Sequence, residues 1–377
     1  MKNILLFFGG ESPEHEISII TAKQILSKCN LEKYKVYPIY LDKDHRFKYI
    51  PEFGTFDTFK DFIKLRKIDV KITIENGVTT FKFGGFNNLV NIYAALLAFH
   101  GAEGEGGEIQ GFLETLKIPY TGPSVKGAVY GMDKIVMKYI FEKNNIPIVP
   151  WMYITKKDWE NDRDKCIKKI NEFWKYPLIV KPSSLGSSIG VKKVDNDNEL
   201  KDIIDSDILY DEFIIIEEFK ENLAEITYSV IKDREDIIFS LSEQIEKDIN
   251  IVYSYNDKYL SGDKSKSKTQ GMANSKRIIP AKINETLDKE IKDISKKIYL
   301  LLRSQSLVRI DYLIDTANNK FYAIEINTIP GSLSFYLWES KGIQFREIID
   351  IMLDNAVLDF NKKNKFIKDI DSPLWNL

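Results

Sequence analysis

Three residues able to offer oxygen ligands lie close together late in the chain. Asp311 sits in the apolar run RIDYLID, and Glu325 and Asn327 close the run YAIEIN. On a strand, residues two apart point to one face. Glu325 and Asn327 therefore project together, and Arg309 shares the face of Asp311. Two carboxylates and an amide from adjacent strands are hard oxygen donors, a set that suits Mg²⁺ held jointly with substrate phosphates. The competing reading is the polar outer face of an ordinary hairpin, although Ile310, Tyr312, Ala323 and Ile324 imply a face buried behind the carboxylates. The chain then continues as EINTIPGSLSFYLWES. After the turn at Pro330-Gly331, the group Phe335–Trp338 reads either as a substrate pocket or as a piece of core.

A second constellation is IVKPSSLGSSIGV, residues 179–191. A strand delivers Lys181 into a Ser/Gly-rich turn, where small residues let backbone N–H groups approach an anion and the lysine adds charge. No G-x-x-x-x-G-K-[ST] pattern is present and no helix clearly follows, so a flexible hairpin turn competes with phosphate binding. GGESPEHEIS places Glu14 at a helix start, where a capping box with Ser12 is the structural alternative. His100 ends a buried strand, a place where histidines are more often structural than catalytic. No Ser-His-Asp order, paired cysteines or HExxH occurs, and 3 histidines make a histidine metal site a poor fit.

Alternating strand and helix patterns must position these groups. Ile4–Phe8 reads as a buried strand ending in Gly9-Gly10, followed by a helix carrying Ile17, Ile20 and Ile25. Strand, glycine turn and helix open a doubly wound α/β unit. YKVYPIYLD is the next strand, and 46–90 is polar and irregular. NIYAALLAFHG is a further buried strand that leads into the acidic, glycine-rich turn GAEGEGGEIQG. A helix fits Gly111–Leu116, PYTGPS marks a boundary, and one long helix fits Val125–Asn144. From Tyr176, successive short strands suit antiparallel sheet. Residues 254–276 form a long charged loop of the kind that is a lid or a disordered segment. A helix fits Asn284–Leu302, a hairpin turns around TANNK, and a last helix fits Phe345–Asp359.

At 377 residues the chain is long for a single core, which suggests two or three domains. Lys+Arg 54 against Asp+Glu 56 leaves a net charge of -2, which argues against a nucleic-acid binder dominated by phosphate contacts. Cys29 and Cys166 imply neither metal spacing nor a disulfide framework. The N-terminal apolar run is too short for a secretory signal, and no run approaches the roughly 18 apolar residues of a membrane span. A cytoplasmic protein with no membrane partner is expected.

Taken together, GGESPEHEIS, AFHGAEGEGGEIQGFLETLKIPYTG, MDKIVMK, YPLIVKPSSLGSSIGV, IIIEEF, YNDKYLSG and RIDYLID…EINTIPG resemble the D-alanine–D-alanine ligases of the ATP-grasp superfamily. They occur in that family's order over nearly the whole chain. The resemblance implies a three-domain α/β (α+β) ATP-grasp fold. A doubly wound parallel sheet would occupy 1–122, and two largely antiparallel units at 123–221 and 222–377 would clamp ATP. It implies Lys134, Lys181, Ser187 and Ser188 at the phosphates, Glu217 and Glu218 near the adenine, and Glu225 at the ribose. Asp311, Glu325 and Asn327 match magnesium ligands, with manganese as an alternative. Arg309 and Gly331 match the groups around the tetrahedral intermediate, and Glu14 the receiver of the first substrate's ammonium. His100, Tyr336 and Leu337 fall on the substrate side, and Lys258 and Tyr259 on the lid. The implied reaction joins D-alanine to a second D-amino acid for peptidoglycan through an acyl phosphate, releasing ADP and phosphate. By the same analogy the chain would be a homodimer.

Elementary reaction chemistry agrees with this resemblance. A carboxylate is a poor electrophile until phosphorylated, and the acyl phosphate then needs positioning, charge neutralisation and exclusion of water rather than a nucleophile triad. Three departures stand out. Gly106 replaces the aspartate of the family's Gly-Glu-Asp-Gly loop. The lid after Tyr259 is longer and carries Lys264, Lys266 and Lys268. Tyr336 stands where the family places a serine that helps to bind the acceptor's carboxylate. DKY in the lid favours an amine acceptor. A ligase of different acceptor specificity and a non-catalytic ATP-binding relative are the alternatives.

Overall fold

The apolar run Ile4–Phe8 is buried on both faces, as an interior strand with parallel neighbours requires. In the computed structural model, which describes residues 1–85, 87–186, 190–221, 223–245, 277–315 and 318–366, this run forms β1 (Lys2–Gly9). There follow α1 (His15–Lys28), β2 (Tyr34–Leu41), β3 (Phe47–Tyr49), α2 (Phe59–Lys64), β4 (Ile68–Glu75), β5 (Val78–Phe83), β6 (Asn87–Leu89), β7 (Ile92–Leu97), α3 (Ala102–Glu105) and α4 (Glu108–Thr115). The strands make one sheet ordered β6-β5-β4-β3-β2-β1-β7. Only β2, β1 and β7 run parallel. From β2 to β6 every pairing is antiparallel. The sheet is therefore mixed, with the parallel pairing of the expected doubly wound sheet carried by β2, β1 and β7. The stretch taken as irregular supplies the reason: Asn76 and Gly77, both at positive φ, close a two-residue turn between β4 and β5. Such a turn can join only antiparallel strands.

The expected long helix is two helices, α5 (Val125–Met132) and α6 (Lys134–Lys143). Asp133 breaks it. Its side chain accepts from the Ile135 and Val136 N–H groups, which caps α6. Next come β8 (Trp151–Thr155), α7 (Lys156–Asn161), α8 (Arg163–Phe173), β9 (Leu178–Pro182), β10 (Lys192–Val194), α9 (Asp197–Asp207) and β11 (Phe213–Glu218). The strands form an antiparallel sheet ordered β10-β9-β11-β8. Helices α7 to α9 were not foreseen. They are capped by Thr155, Asp162 and Asn196, and bury Trp159, Ile167, Ile170, Leu200 and Ile204.

A third, antiparallel sheet holds β12 (Ala224–Asp233), β13 (Asp236–Phe239), β14 (Glu243–Ile245), β15 (Arg277–Ile278), β16 (Val308–Asp315) and β17 (Lys320–Asn327). Its path is β15-β14-β12-β16-β17, with β13 beside β12. The helix Glu285–Leu301 covers its apolar face through Leu287, Ile291, Ile298 and Tyr299. The last helix, Phe345–Asn364, runs further than expected and returns to the first sheet's core through Phe345, Ile348, Ile349 and Met352.

The group 335–338 divides. Leu337 and Trp338 are fully buried, and the Trp338 indole N–H donates to Ser229 Oγ at 2.9 Å. Tyr336 turns towards β14 instead.

Candidate active site

Strand alternation separates a charged face from an apolar one in both antiparallel sheets. In the central sheet, Ile154, Leu178, Val180, Ile214 and Ile216 enter the core. The opposite face carries Trp151, Tyr153, Ile179, Lys181, Ile215 and Glu217, as the register requires. Helix α6 lays Lys134 and Lys138 over this face, one turn apart. The Lys138 Nζ lies 2.5 Å from Glu217 Oε1 and the Lys181 Nζ 2.9 Å from Glu217 Oε2. Burial alone would raise the Glu217 carboxyl, but the two ammonium groups overcome it and hold it at about 2. Lys134 Nζ donates to the carbonyl of Leu185 at 2.8 Å, at the entry to the Ser/Gly-rich turn. Burial pushes the Lys134 ammonium down while Glu325, across in the third sheet, pulls it up. The lysine face and the carboxylate face therefore confront each other.

In the third sheet, the register aligns Glu243, Thr227, Asp311 and Glu325 in one cross-strand row, and Ser229, Arg309 and Asn327 in the next. Opposed residues share a face, and Ile226, Tyr228, Ile310 and Tyr312 fill the core behind it. Asp311 is the hub. It accepts from Arg309 Nε at 2.9 Å and Nη2 at 2.7 Å, from Thr227 Oγ1 at 2.8 Å and from Asn327 Nδ2 at 3.1 Å. Burial works against the charge of Arg309, and Asp311 more than compensates, so the guanidinium stays protonated. Glu225 lies a further step along the same face of β12.

The first sheet closes the third side. Glu14 stands at the start of α1 without a side-chain cap, so the capping box does not form; Ser12 Oγ instead accepts from the Glu14 N–H at 2.9 Å. A Cβ built on Gly186 would lie 3.4 Å from Glu14 Oε2, which sets this carboxylate against the Ser/Gly-rich turn. His100 is buried. Its Nδ1 is 3.0 Å from the Ile329 carbonyl, and its Nε2 is 2.8 Å from Thr21 Oγ1. A carbonyl only accepts, so Nδ1 carries the proton and Nε2 accepts from Thr21, whose oxygen accepts from the Ser332 N–H at 3.2 Å. Burial holds the imidazole at about 4, hence neutral. This histidine positions the 329–332 segment, including Gly331, rather than offering a free ring nitrogen.

Glu105, not singled out in the sequence, reinforces that link. Its carboxylate accepts from Gly101 N–H at 2.8 Å, Thr328 Oγ1 at 3.1 Å and Ile329 N–H at 3.0 Å. Burial, with Glu14 nearby, raises it to about 7. At Gly106 a Cβ would come within 2.5 Å of Glu108 Oε2, so the neighbouring glutamate fills the space of the expected aspartate. Gly131 permits close approach of α5 to the segment after β17, since a Cβ there would be 2.7 Å from Thr328 Cγ2.

Among the predicted site residues, the structure thus gathers Glu14, Lys134, Lys181, Glu217, Arg309, Asp311, Glu325 and Asn327 around one region. Glu218 faces Lys220, 2.7 Å away, and takes no part in the lysine pair. The Leu337 side chain is in the interior, which leaves only its backbone for a ligand. Ser187, Ser188, Lys258 and Tyr259, with the lid 254–276, lie outside the described residues. No group of three His, Cys, Asp or Glu side chains gathers for a metal among the described residues. Two carboxylates with one amide is the arrangement present.

The D-ala D-ala ligase N-terminus model matches residues 3–123, and the D-ala D-ala ligase C-terminus model matches 140–354. The chain belongs to the D-alanine–D-alanine ligase family. It is 38% identical to the D-alanine–D-alanine ligase of Thermosipho africanus, over 100% of this chain and 99% of that one. It is 34% identical to that of Acetivibrio thermocellus, over 97% and 98%. Among solved structures, the D-alanine–D-alanine ligase of Coxiella burnetii superposes with a TM-score of 0.81 at 23% identity, covering 97% of this chain and 96% of that one. That likeness is one of fold. The VanG D-Ala:D-Ser ligase of Enterococcus faecalis shares the fold with a TM-score of 0.76 at 22% identity, covering 94% and 99%. Each of the three sheets contributes residues to the region gathered here. Lys138 had a legible signal, its spacing of four from Lys134. Glu105 lies in the acidic, glycine-rich turn and has no spacing that marks it individually.

Proposed function

We propose that this chain joins D-alanine to a second D-amino acid in an ATP-dependent reaction. A carboxylate oxygen of the first substrate attacks the γ-phosphorus of ATP and ADP leaves. The amine of the second substrate then attacks the acyl phosphate carbonyl, phosphate leaves, and the amine loses a proton. The observation that carries this reading is the confrontation of the buried lysine face with the Arg309–Asp311–Glu325 row. Lys134 and Lys181 hold phosphates, and Glu225 holds the ribose. Arg309 and the Gly331 backbone stabilise the tetrahedral intermediate, and Glu14 receives the first ammonium.

The donor chemistry fits Mg²⁺. Asp311 and Glu325 face each other across β16 and β17, and the Asn327 amide donates through Nδ2 to Asp311, which turns its carbonyl oxygen away from that bond. When bound there, the ion would neutralise phosphate charge. The units proposed are 1–122, 123–221 and 222–377, acting in the cytoplasm on small molecules for peptidoglycan, as a homodimer.

ADP release measured with D-alanine and a panel of D- and L-amino acid acceptors tests the proposal. Turnover should require D-alanine. Absence of turnover with every pair containing D-alanine would refute the assignment.

A further inference from the structure

The row that holds Asp311 and Glu325 ends, two strands away on β14, in another buried carboxylate. Glu243 shares their face, and its Oε2 accepts from the Tyr336 hydroxyl at 2.7 Å. Its Oε1 lies 3.0 Å from Nη1 of Arg277. Arg277 pairs with Ile245, two residues on from Glu243, and so projects from the same face. Its guanidinium lies over the Tyr336 ring, with Cζ 5.0 Å from the centroid. The Tyr336 phenol is raised by burial and Glu243 and is lowered by Arg309 and Arg277, whose positive charges both act on it.

Resemblance assigns position 336 to a hydroxyl that donates to the acceptor's carboxylate. A phenol has one O–H, and here it is committed to Glu243. A carboxylate arriving at Tyr336 would meet oxygen lone pairs. Arg277 is different. It has five N–H donors in a planar fork that matches a carboxylate, and it stacks on an aromatic face. Its side chain is 24% exposed, whereas that of Glu243 is 4% exposed, so the guanidinium is the member of the cluster that a ligand can reach.

We propose that Arg277 binds the carboxylate of the acceptor amino acid, and that Glu243 and the Tyr336 ring are positioning residues that aim its guanidinium. Glu243 is ion-paired with one nitrogen of the fork and the ring supports its plane, leaving the other N–H donors for the acceptor. This rests on the amide-ligase reading above.

The test uses D-alaninamide, which keeps the attacking amine, lacks the carboxylate and cannot serve as the phosphorylated substrate. The full-length protein is assayed for ADP release at saturating ATP, with D-alanine fixed at a level that fills the first site but gives little turnover alone, varying the acceptor amino acid or its amide above that background. The readout is the ratio of kcat/KM for carboxylate over amide. Wild type should favour the carboxylate strongly. Arg277→Gln should reduce the ratio by about 100-fold, the scale of a lost charge-assisted pair, and Arg277→Lys should fall between. Tyr336→Phe, which keeps the ring, should keep the preference. A ratio unchanged in Arg277→Gln would overturn the inference, as would an effect confined to the KM of ATP, which would mark a phosphate contact. Loss of preference in Tyr336→Phe alone would return the role to the hydroxyl. If wild type shows no ADP release with D-alanine and any acceptor, the ligase reading fails and this inference with it. Turnover with an unaltered ratio removes this inference alone.

Discussion

Glu217 bridges two buried lysines at the central sheet, which makes Glu217→Gln an informative perturbation of the fold. The carboxylate bridges Lys138 and Lys181, both buried, at 2.5 and 2.9 Å. It titrates at about 2 instead of 4.5. The difference corresponds to roughly 3 kcal/mol of stability at neutral pH. The amide variant loses that and leaves two buried ammonium groups without their counter-charge, the kind of break that costs about 3–5 kcal/mol. A chain with three sheets need not unfold in one step, so a local measurement is the sound one. Amide hydrogen exchange, read on peptides covering β9 and β11, reports opening of this sheet. At pH 7 the variant should exchange faster there by about 100-fold, since roughly 1.4 kcal/mol is a factor of ten. The sign with pH is fixed. A carboxyl depressed in the folded state stabilises it above the unfolded value near 4.5, and that contribution fades as pH falls towards 2. Variant and wild type should therefore converge in acid. Equal protection at pH 7, or a gap that does not change with pH, would show that the bridge does not hold the sheet.

Three further outcomes are expected. Glu325→Gln should lower turnover by about 100-fold, the scale of losing one group that stabilises transition-state charge, and should weaken Mg²⁺-dependent nucleotide binding measured by calorimetry. Asp133→Ala removes the cap of α6 and should cost about 1 kcal/mol in denaturant titrations; because α6 carries Lys134 and Lys138, the KM for ATP should rise with it. His100 is held at about 4, so as pH falls from about 6.5 towards 4 the unfolded chain takes up a proton that the fold refuses, and roughly 3 kcal/mol is lost. Glu105, raised to about 7, acts in the opposite sense as pH falls from 7 to its unfolded value. The diagnostic is accordingly the difference between wild type and His100→Gln, which should narrow on acidification in melts between pH 7 and 4.

Local signals carried some of this architecture and missed the rest for identifiable reasons. The interior strand β1 was legible because a strand buried on both faces must be apolar throughout. The meander β3–β6 was not, although Asn76-Gly77 is a strong hairpin dipeptide; its strands are half-exposed and their alternation is diluted by Lys, Thr and Asn. Helices α7 and α8 hid in a charge-dense stretch whose few apolar residues, Trp159, Ile167 and Ile170, are enough to bury one stripe. Individual site residues could be named from spacing and resemblance. Their pairings could not, because Lys138 with Glu217, Glu105 with Ile329 and Glu243 with Tyr336 are 79, 224 and 93 residues apart or joined across separate sheets.

The hairpin that bears the carboxylates shows how much one residue of register decides. Strand alternation alone would keep every second residue of β17 inside. Phe321 and Ala323 are buried, but the next buried residue is Ile326, a step of three. The pairing records the same break: Tyr312 opposes Ala323, yet Asp311 opposes Glu325, so Ile324 is the extra residue of a bulge. Without it, Tyr312 opposite Ala323 would place Asp311 opposite Ile324, and Glu325 would move to the apolar face with Ile310. The bulge therefore turns Glu325 and Asn327 to the side of Asp311 and Arg309 while letting Ala323 and Ile326 both stay in the core. The departure from a period of two in YAIEIN is thus itself a sequence signal of the site. It predicts that deleting Ile324 would remove the bulge yet leave Tyr312 opposite Ala323, Asp311 opposite Glu325 and Ile310 opposite Ile326, so the variant should retain ADP release; loss of ADP release with the sheet still formed would refute this account of the register.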